Sequence, residues 1–348
     1  MASLRNQDSS VNTERTYASR VALYLTWCAD QEIPWSSPTV PQLGRLLHWL
    51  HEAPLSPRGR TANPEPRYRS KGTSNAILGT VCRFLSHCAL LGWVSPDLIA
   101  LLSEPRRLWH VPAGMNPGED GQFLNVRART LRYRAPTPGF EYFTEDQVSD
   151  LINATTHARD RFLVTLLCET GVRIGEALGL RREDMHFLAN SSSLGCREPG
   201  PHIHVRRRQN VNGALSKARQ PRWIPVSPDT VGLYAAYQWE RNTVAAAAST
   251  DMVFVNLFAL PYGSPMKYPS TYELFKRISA RCGFDAHPHM TRHTAATRWL
   301  REGRPRHIVQ NLLGHVSAQS MDMYAHASDQ EKRDAVLAVT AARKAVTT

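Results

Sequence analysis

Residues 104–142 divide this chain. They hold the strings PRR, PAGMNPGEDG and RAPTPGF and show neither a helical nor a strand period. Prolines and glycines at this density interrupt regular elements. On both sides apolar residues return to a spacing of three and four, so the sequence predicts two folded units joined by an irregular segment. One short strand is expected inside it, around Phe123–Val126. The segment is long for a free tether and is expected to lie against something.

Ahead of it, Val21, Tyr24, Leu25 and Cys28 share one helix face within 13–30. Leu43, Leu46, Leu47 and Leu50 do so within 40–52, and Ile77, Leu78, Val81, Leu85 and Cys88 within 74–91. A fourth helix is expected from Pro96 to Leu102, with proline in its first turn. The divisions expected are a helical domain over 1–104, a basic linker over 105–142 and a second domain over 143–348. The second domain opens with T-E-D-Q, in which Thr144 caps a helix and Gln147 completes a capping box. A stronger helix runs over 158–170 to Gly171. HIHVRRR (202–208) and RWIPV (222–226) read as strands of a hairpin that holds the turn former Asn212-Gly213. Further helices are expected at about 228–247, 270–282, 291–302, 305–313 and 328–345. The fold class is mostly α with a small β-sheet, α+β.

The formal charge of +12 and pI near 9.7 point to a polyanionic partner. Between the second and third helices, Arg58, Arg60, Arg67, Arg69 and Lys71 face one acid, Glu65, in a segment too rich in proline and glycine for a helix. It is a phosphate-binding loop or a solvated one. Arg127, Arg129, Arg132 and Arg134 sit at alternating or near-alternating positions, so an extended chain would turn them to one side. Arg206, Arg207 and Arg208 extend the first hairpin strand. These twelve cations are the candidate DNA contacts.

No run approaches the ~20 apolar residues of a membrane span, and the N-terminal residues hold no apolar signal core. The cysteines (Cys28, Cys82, Cys88, Cys168, Cys196, Cys282) form no CxxC pair. Reduced core thiols, no zinc site and a cytoplasmic protein are therefore expected.

Six side chains stand in order through the second domain. Arg173 lies in ETGVRIGEALGL and Lys217 in LSKARQPRWIPV. His289 and Arg292 lie in HPHMTRHTAATRWL, His315 in LLGH and Tyr324 in SMDMYAHAS. Singly, each has an ordinary explanation: a surface ion pair, a chance HxxR, a helix end, a stray tyrosine. Together, the pattern of Arg, Lys, HxxR, LGH and a tyrosine nine positions on resembles the tyrosine recombinase (phage integrase) family across the whole second domain. The helical first domain resembles that family's core-binding domain more weakly.

The resemblance implies a clamp on double-stranded DNA and strand exchange through a 3′-phosphotyrosyl link, with no cofactor. It implies Tyr324 as nucleophile, because a tyrosine oxygen forms a phosphodiester that a 5′-hydroxyl can reverse. Arg173 and Arg292 would clamp the non-bridging oxygens with permanently charged forks. His289 and His315 would add hydrogen bonds, and Lys217 would protonate the departing 5′-oxygen. Glu176, one turn after Arg173, either orients the site or forms a structural ion pair. His293 is expected to pack or touch phosphate. No carboxylate cluster suits Mg²⁺, and the arginines take that role.

A synaptic tetramer, accessory DNA-bending or partner recombinase proteins, and an intracellular place at the nucleoid follow from the same resemblance. The helix after Tyr324 docks on its own domain or on a neighbouring protomer. The linker and PGPHIHVRRR look closer to transposon-encoded members than to short housekeeping resolvases. Because the helical pattern begins by about Thr13, no separate arm-site domain is expected ahead of it. A type IB topoisomerase shares this active site, and a DNA-binding regulator that has lost catalysis would keep the fold. The post-tyrosine helix argues against the first, and the intact six residues against the second.

Overall fold

The computed structural model describes residues 11–56, 66–108, 123, 125–135, 141–216 and 220–314. The chain divides into two compact units, Met1–Pro138 and Gly139–Thr348.

The first unit is built on helices α1 (Val11–Asp30), α2 (Val40–Glu52), α3 (Lys71–Leu90) and α4 (Pro96–Leu101). In α2, Thr39 accepts from the backbone of Gln42 while the Gln42 side chain reaches back to Thr39, closing a capping box. The leucines at 43, 46, 47 and 50 are all buried and meet Tyr24, Val81 and Leu85 from α1 and α3 in one core. The three-and-four spacing is thus the face on which the helices pack.

Part of the expected linker belongs to this unit. Strand β1 (Ser103–Arg107) pairs antiparallel with β2 (Asn125–Arg129). Leu131 and Tyr133 then pack against the helical core, and Asn75 binds the backbone of Tyr133 in both directions. The segment looked irregular because alternation is the only signal of an edge hairpin. Here the alternate positions are exposed arginines instead of apolar residues.

The second unit opens with α5 (Glu145–Asn153), where Thr144 and Gln147 form the expected capping box. Helix α6 (Ala158–Thr170) is buried along most of its length and ends at Gly171. A short helix α7 (Ile174–Ala177) follows. Strands β3 (Met185–His186), β4 (His202–Val205) and β5 (Arg222–Pro225) form an antiparallel sheet in that order. β3 was not foreseen, since two residues carry no readable period. Helices α8 (Pro228–Asn242), α9 (Tyr268–Cys282), α10 (Pro288–Arg301) and α11 (Arg306–Leu313) complete the described unit. α8 stops five residues short of the expected helix, and Ala245–Ser249 continues as a tighter turn. Phe162, Tyr237 and Phe254 stack at centroid separations of 5.4–6.1 Å in the core. Among the described residues no helix is long and apolar enough to cross a membrane.

Candidate active site and its surroundings

The turn after α6 holds the first arginine of the pattern. Arg173 caps α7. Its backbone N–H donates to Glu176 Oε2 at 3.0 Å, and its Nη1 donates to Glu176 Oε1 at 3.2 Å. Glu176 has no exposed side-chain surface. A buried carboxylate is costly unless it is paired and hydrogen-bonded. A second arginine meets that need: Arg222 Nη2 reaches Glu176 Oε2 at 2.8 Å, and Ser216 Oγ reaches Oε1 at 3.3 Å. Burial alone raises the carboxyl's pKa. Arg222 and then Arg173 outweigh it, and the group is held below the ordinary glutamate range. Of the two readings of Glu176, the ion pair is present, with Arg173 and Arg222 as its partners.

Arg222 was missed by the sequence reading. It lies on the inward side of β5 with Ile224, while Trp223 and Pro225 face out. A cation on the core face of a strand needs a buried acid, and that is the signal that could have found it. Its Nε also donates to the Leu312 carbonyl at 2.8 Å. Gly175 makes the approach possible, because a Cβ there would stand 2.8 Å from the Leu215 carbonyl in the β4–β5 connection.

Arg292 lies on α10 and is 2 % exposed. Its Nη1 donates to the Gly171 carbonyl at 2.8 Å and its Nη2 to the Leu313 carbonyl at 2.7 Å. Gly171 closes α6 and Leu313 ends α11, so the guanidinium bridges two helix C-termini, where cations are favoured. Gly171 precedes Arg173 by two residues, and Leu313 follows the Arg222 acceptor. Arg173, Glu176, Arg222, Arg292 and the end of α11 therefore form one connected set of contacts. The glycine of LGH, Gly314, has φ +64°, and a Cβ on it would lie 2.7 Å from the Arg222 guanidinium.

His289 is exposed at the start of α10, with its ring 4.5 Å from that of His293. His293 is buried. Burial, followed by the positive charges of His289, Arg292 and His287, lowers its pKa to about 4, so it is neutral at pH 7. Lys217, His315 and Tyr324 lie outside the described residues, as do Arg58 and Arg60.

The remaining candidate DNA contacts separate by environment. Arg67, Lys71, Arg132 and Arg134 are exposed. Arg69 is half-buried, donates to the Leu50 carbonyl at 3.4 Å and lies over the Trp49 ring. Arg127 donates to Ser103 and to the Ala100 carbonyl, and Arg129 to the Asn75 carbonyl. Arg206 and Arg207 are exposed, with Arg206 3.7 Å from Asp184. Arg208 is turned inward, its fork on Asp184 at 2.6 and 2.9 Å and on Glu183 at 2.7 Å.

One cluster lay wholly outside the sequence reading. His186 on β3, His202 and His204 on β4, and Cys196 in the loop between them bring one ligand atom each within 4.8 Å of one another. Cys28, Cys82, Cys88, Cys168 and Cys282 lie on helices, as expected of core thiols. Cys196 does not, and CxxC spacing carries no sign of a cysteine whose companions are histidines.

Residues 141–331 match the phage integrase family. Transposase A from transposon Tn554 of Staphylococcus aureus is 28% identical over 333 residues, covering 95% of this chain and 87% of its own. A tyrosine recombinase of Thermosipho africanus is 30% identical over 216 residues, 60% of this chain and 65% of its own. Among solved structures, the Tn1549 transposon integrase in complex with a circular intermediate DNA superposes with a TM-score of 0.64 at 14% identity, over 97% of both chains. A lambda integrase dimer bound to a core site gives 0.58 at 13% identity, over 93% of this chain and 91% of that one. At these identities the structural likeness speaks to the fold.

Proposed function

The chain belongs to the phage integrase family of tyrosine recombinases, enzymes of site-specific recombination and transposition, and we propose that it cuts and rejoins duplex DNA through Tyr324. The Tyr324 oxygen passes its proton to His289 and attacks the scissile phosphorus. The bond to the 5′-oxygen breaks, and Lys217 supplies the proton that leaves with it. The product is a 3′-phosphotyrosyl link, which a second 5′-hydroxyl reverses after strand exchange, so the phosphodiester energy is retained. Arg173 and Arg292 stabilise the charge that builds on the non-bridging oxygens, helped by His289 and His315.

The observation that carries this reading is the preorganisation of the two arginines. Separate stretches of chain supply them, yet one corner of the fold holds both, Arg173 through Glu176 and Arg292 through two backbone carbonyls. An arginine whose fork is pinned by two backbone carbonyls has little rotamer freedom left to lose when it meets a phosphate.

We place DNA contact on the helical unit as a core-binding domain, through Arg67, Lys71, Arg132 and Arg134 with Arg58 and Arg60. On the catalytic unit we place it on Arg206 and Arg207. Arg69 and Arg208 are half-buried and serve that surface from within, and the exposed Arg127 and Arg129 stand on it while bonded to the protein. The partner is the duplex end or junction of a mobile element, the assembly is a synaptic tetramer, and the place of action is the bacterial nucleoid. The long alignment with Tn554 transposase A supports the mobile-element reading.

Tyr324→Phe tests the centre of the proposal. On a nicked suicide substrate the variant binds DNA and forms no covalent adduct, whereas the wild-type chain is trapped on the DNA. An adduct in the phenylalanine variant would remove Tyr324 from the reaction.

A further inference from the structure

We propose that His186, Cys196, His202 and His204 form a closed, four-ligand zinc site that staples the β3–β4 loop to the sheet.

Register brings the ligands together. His186 and His202 are cross-strand partners, and His202 and His204, two apart on β4, share one face. The loop from 187 to 201 folds back over that face, closed by a bridge between Asn190 and Pro199, and delivers Cys196.

The hydrogen bonds fix which nitrogen is free. His202 donates from Nδ1 to the Gly200 carbonyl at 2.7 Å, leaving a lone pair on Nε2. His186 donates from Nε2 to the Glu183 carbonyl at 3.2 Å, leaving one on Nδ1. Nδ1 of His186 is buried and has no hydrogen-bond partner among the described residues, although the side chain is over nine-tenths buried. A backbone carbonyl holding the far nitrogen is how proteins orient metal-ligating histidines.

The distances suit a tetrahedral ion. Cys196 Sγ lies 3.3 Å from His202 Nε2 and 3.4 Å from His204 Nε2, and those two nitrogens are 3.1 Å apart. Bond lengths of about 2.0–2.1 Å for Zn–N and 2.3 Å for Zn–S give donor separations of roughly 3.3–3.6 Å around a tetrahedron. The His186 ring closes the fourth side, its centroid 5.0 Å from that of His202 and 4.4 Å from that of His204. One thiolate and three neutral imidazoles are borderline ligands that select zinc over magnesium or calcium. Four protein ligands leave no place for water, so the site is structural. On binding, Cys196 releases its thiol proton to solvent and the other ligands stay neutral. The β3–β4 pairing is only two residues long, and β4 and β5 carry the hairpin of Lys217 and Arg222. The ion would hold that base in register.

The test uses the full-length chain without a histidine tag, loaded with Zn²⁺ and dialysed. Elemental analysis is expected to find one zinc per chain in the wild type and in Cys282→Ser, and loss of that zinc in Cys196→Ser and His202→Gln. Because a variant that fails to fold would also lose metal, two readouts use the wild type alone. Co²⁺ in place of zinc should give the visible bands of a tetrahedral site and a thiolate charge-transfer band. A chelator should speed alkylation of Cys196 but not of Cys282. Substoichiometric zinc with no cobalt–thiolate band, or full zinc retained by Cys196→Ser, would overturn the site.

Discussion

Replacing Glu176 with glutamine keeps the shape of the side chain but sets two N–H groups among donors. In the folded protein that carboxylate accepts from the Arg173 backbone and guanidinium, from Arg222 and from Ser216. A carboxamide has one oxygen. If it faces Arg222 and the Arg173 backbone, the Arg173 guanidinium loses its anchor. If it is turned over, Arg222 is left beside an N–H group with 6 % of its side chain exposed. Either way a buried cation loses its counter-charge, which costs about 3–5 kcal/mol. For a unit of this size that corresponds to a melting point lower by roughly 6–20 °C.

Urea and thermal unfolding of Glu176→Gln against wild type measure the cost. Cleavage of a suicide substrate well below the melting point measures the positioning of Arg173, and is expected to fall on the order of 100-fold with DNA affinity nearly unchanged. The sign with pH follows from the depressed carboxyl. Its contribution is complete above the ordinary glutamate range and is lost as pH falls below that range toward the folded-state value, so the variant should show a shallower acid limb than wild type. A loss below about 1 kcal/mol, the range of an exposed pair, together with normal cleavage would refute the argument that this carboxylate holds the site.

Lys217→Ala should cleave ordinary DNA very slowly and recover on a 5′-bridging phosphorothiolate, whose thiolate leaves without a proton; equal defects on both substrates would show that Lys217 only binds phosphate. His293 is neutral when folded, with a pKa lowered from 6.5 to about 4 by burial and neighbouring positive charge, so the unfolded chain binds more protons between those values. Stability should therefore fall as pH drops from 6.5 to 4, and His293→Gln should remove up to about 3 kcal/mol of that fall, measured by urea titration across the range. Arg132→Ala with Arg134→Ala should lower the log–log salt slope of DNA binding by roughly 0.9 per lost phosphate contact, on cognate and random DNA alike; an unchanged slope would place both arginines away from DNA. Arg127→Ala should instead lower the melting temperature, because its guanidinium ties β2 to Ser103 and Ala100.

What the sequence revealed and what it hid divide along a physical line. Helical faces and the ordered motifs are local or one-dimensional, so α2 with its four leucines, the Thr144 cap and the HxxR of α10 could be read directly. Contacts made through strand register could not. Arg222 meets Glu176 only because β5 turns its inward face toward α7. His186 meets His202 only because a two-residue strand pairs in one register, with Cys196 folded over it. Of the β1–β2 pair, a strand was expected at Phe123–Val126, overlapping β2, whereas β1 (Ser103–Arg107) has no apolar residue to mark it beyond a proline.

The end of α11 serves as a ruler. Arg222 and Arg292 grip it through the main-chain carbonyls of Leu312 and Leu313, a group that every residue type carries. The two arginines thus gauge where the helix stops and are blind to which side chains it carries. Removing or adding one residue within Arg306–Leu313 would rotate those carbonyls by about 100° and shift them by about 1.5 Å, and both guanidinium groups would lose an acceptor together. Substitutions along the helix would be felt through packing, and changes of length through Arg222 and Arg292.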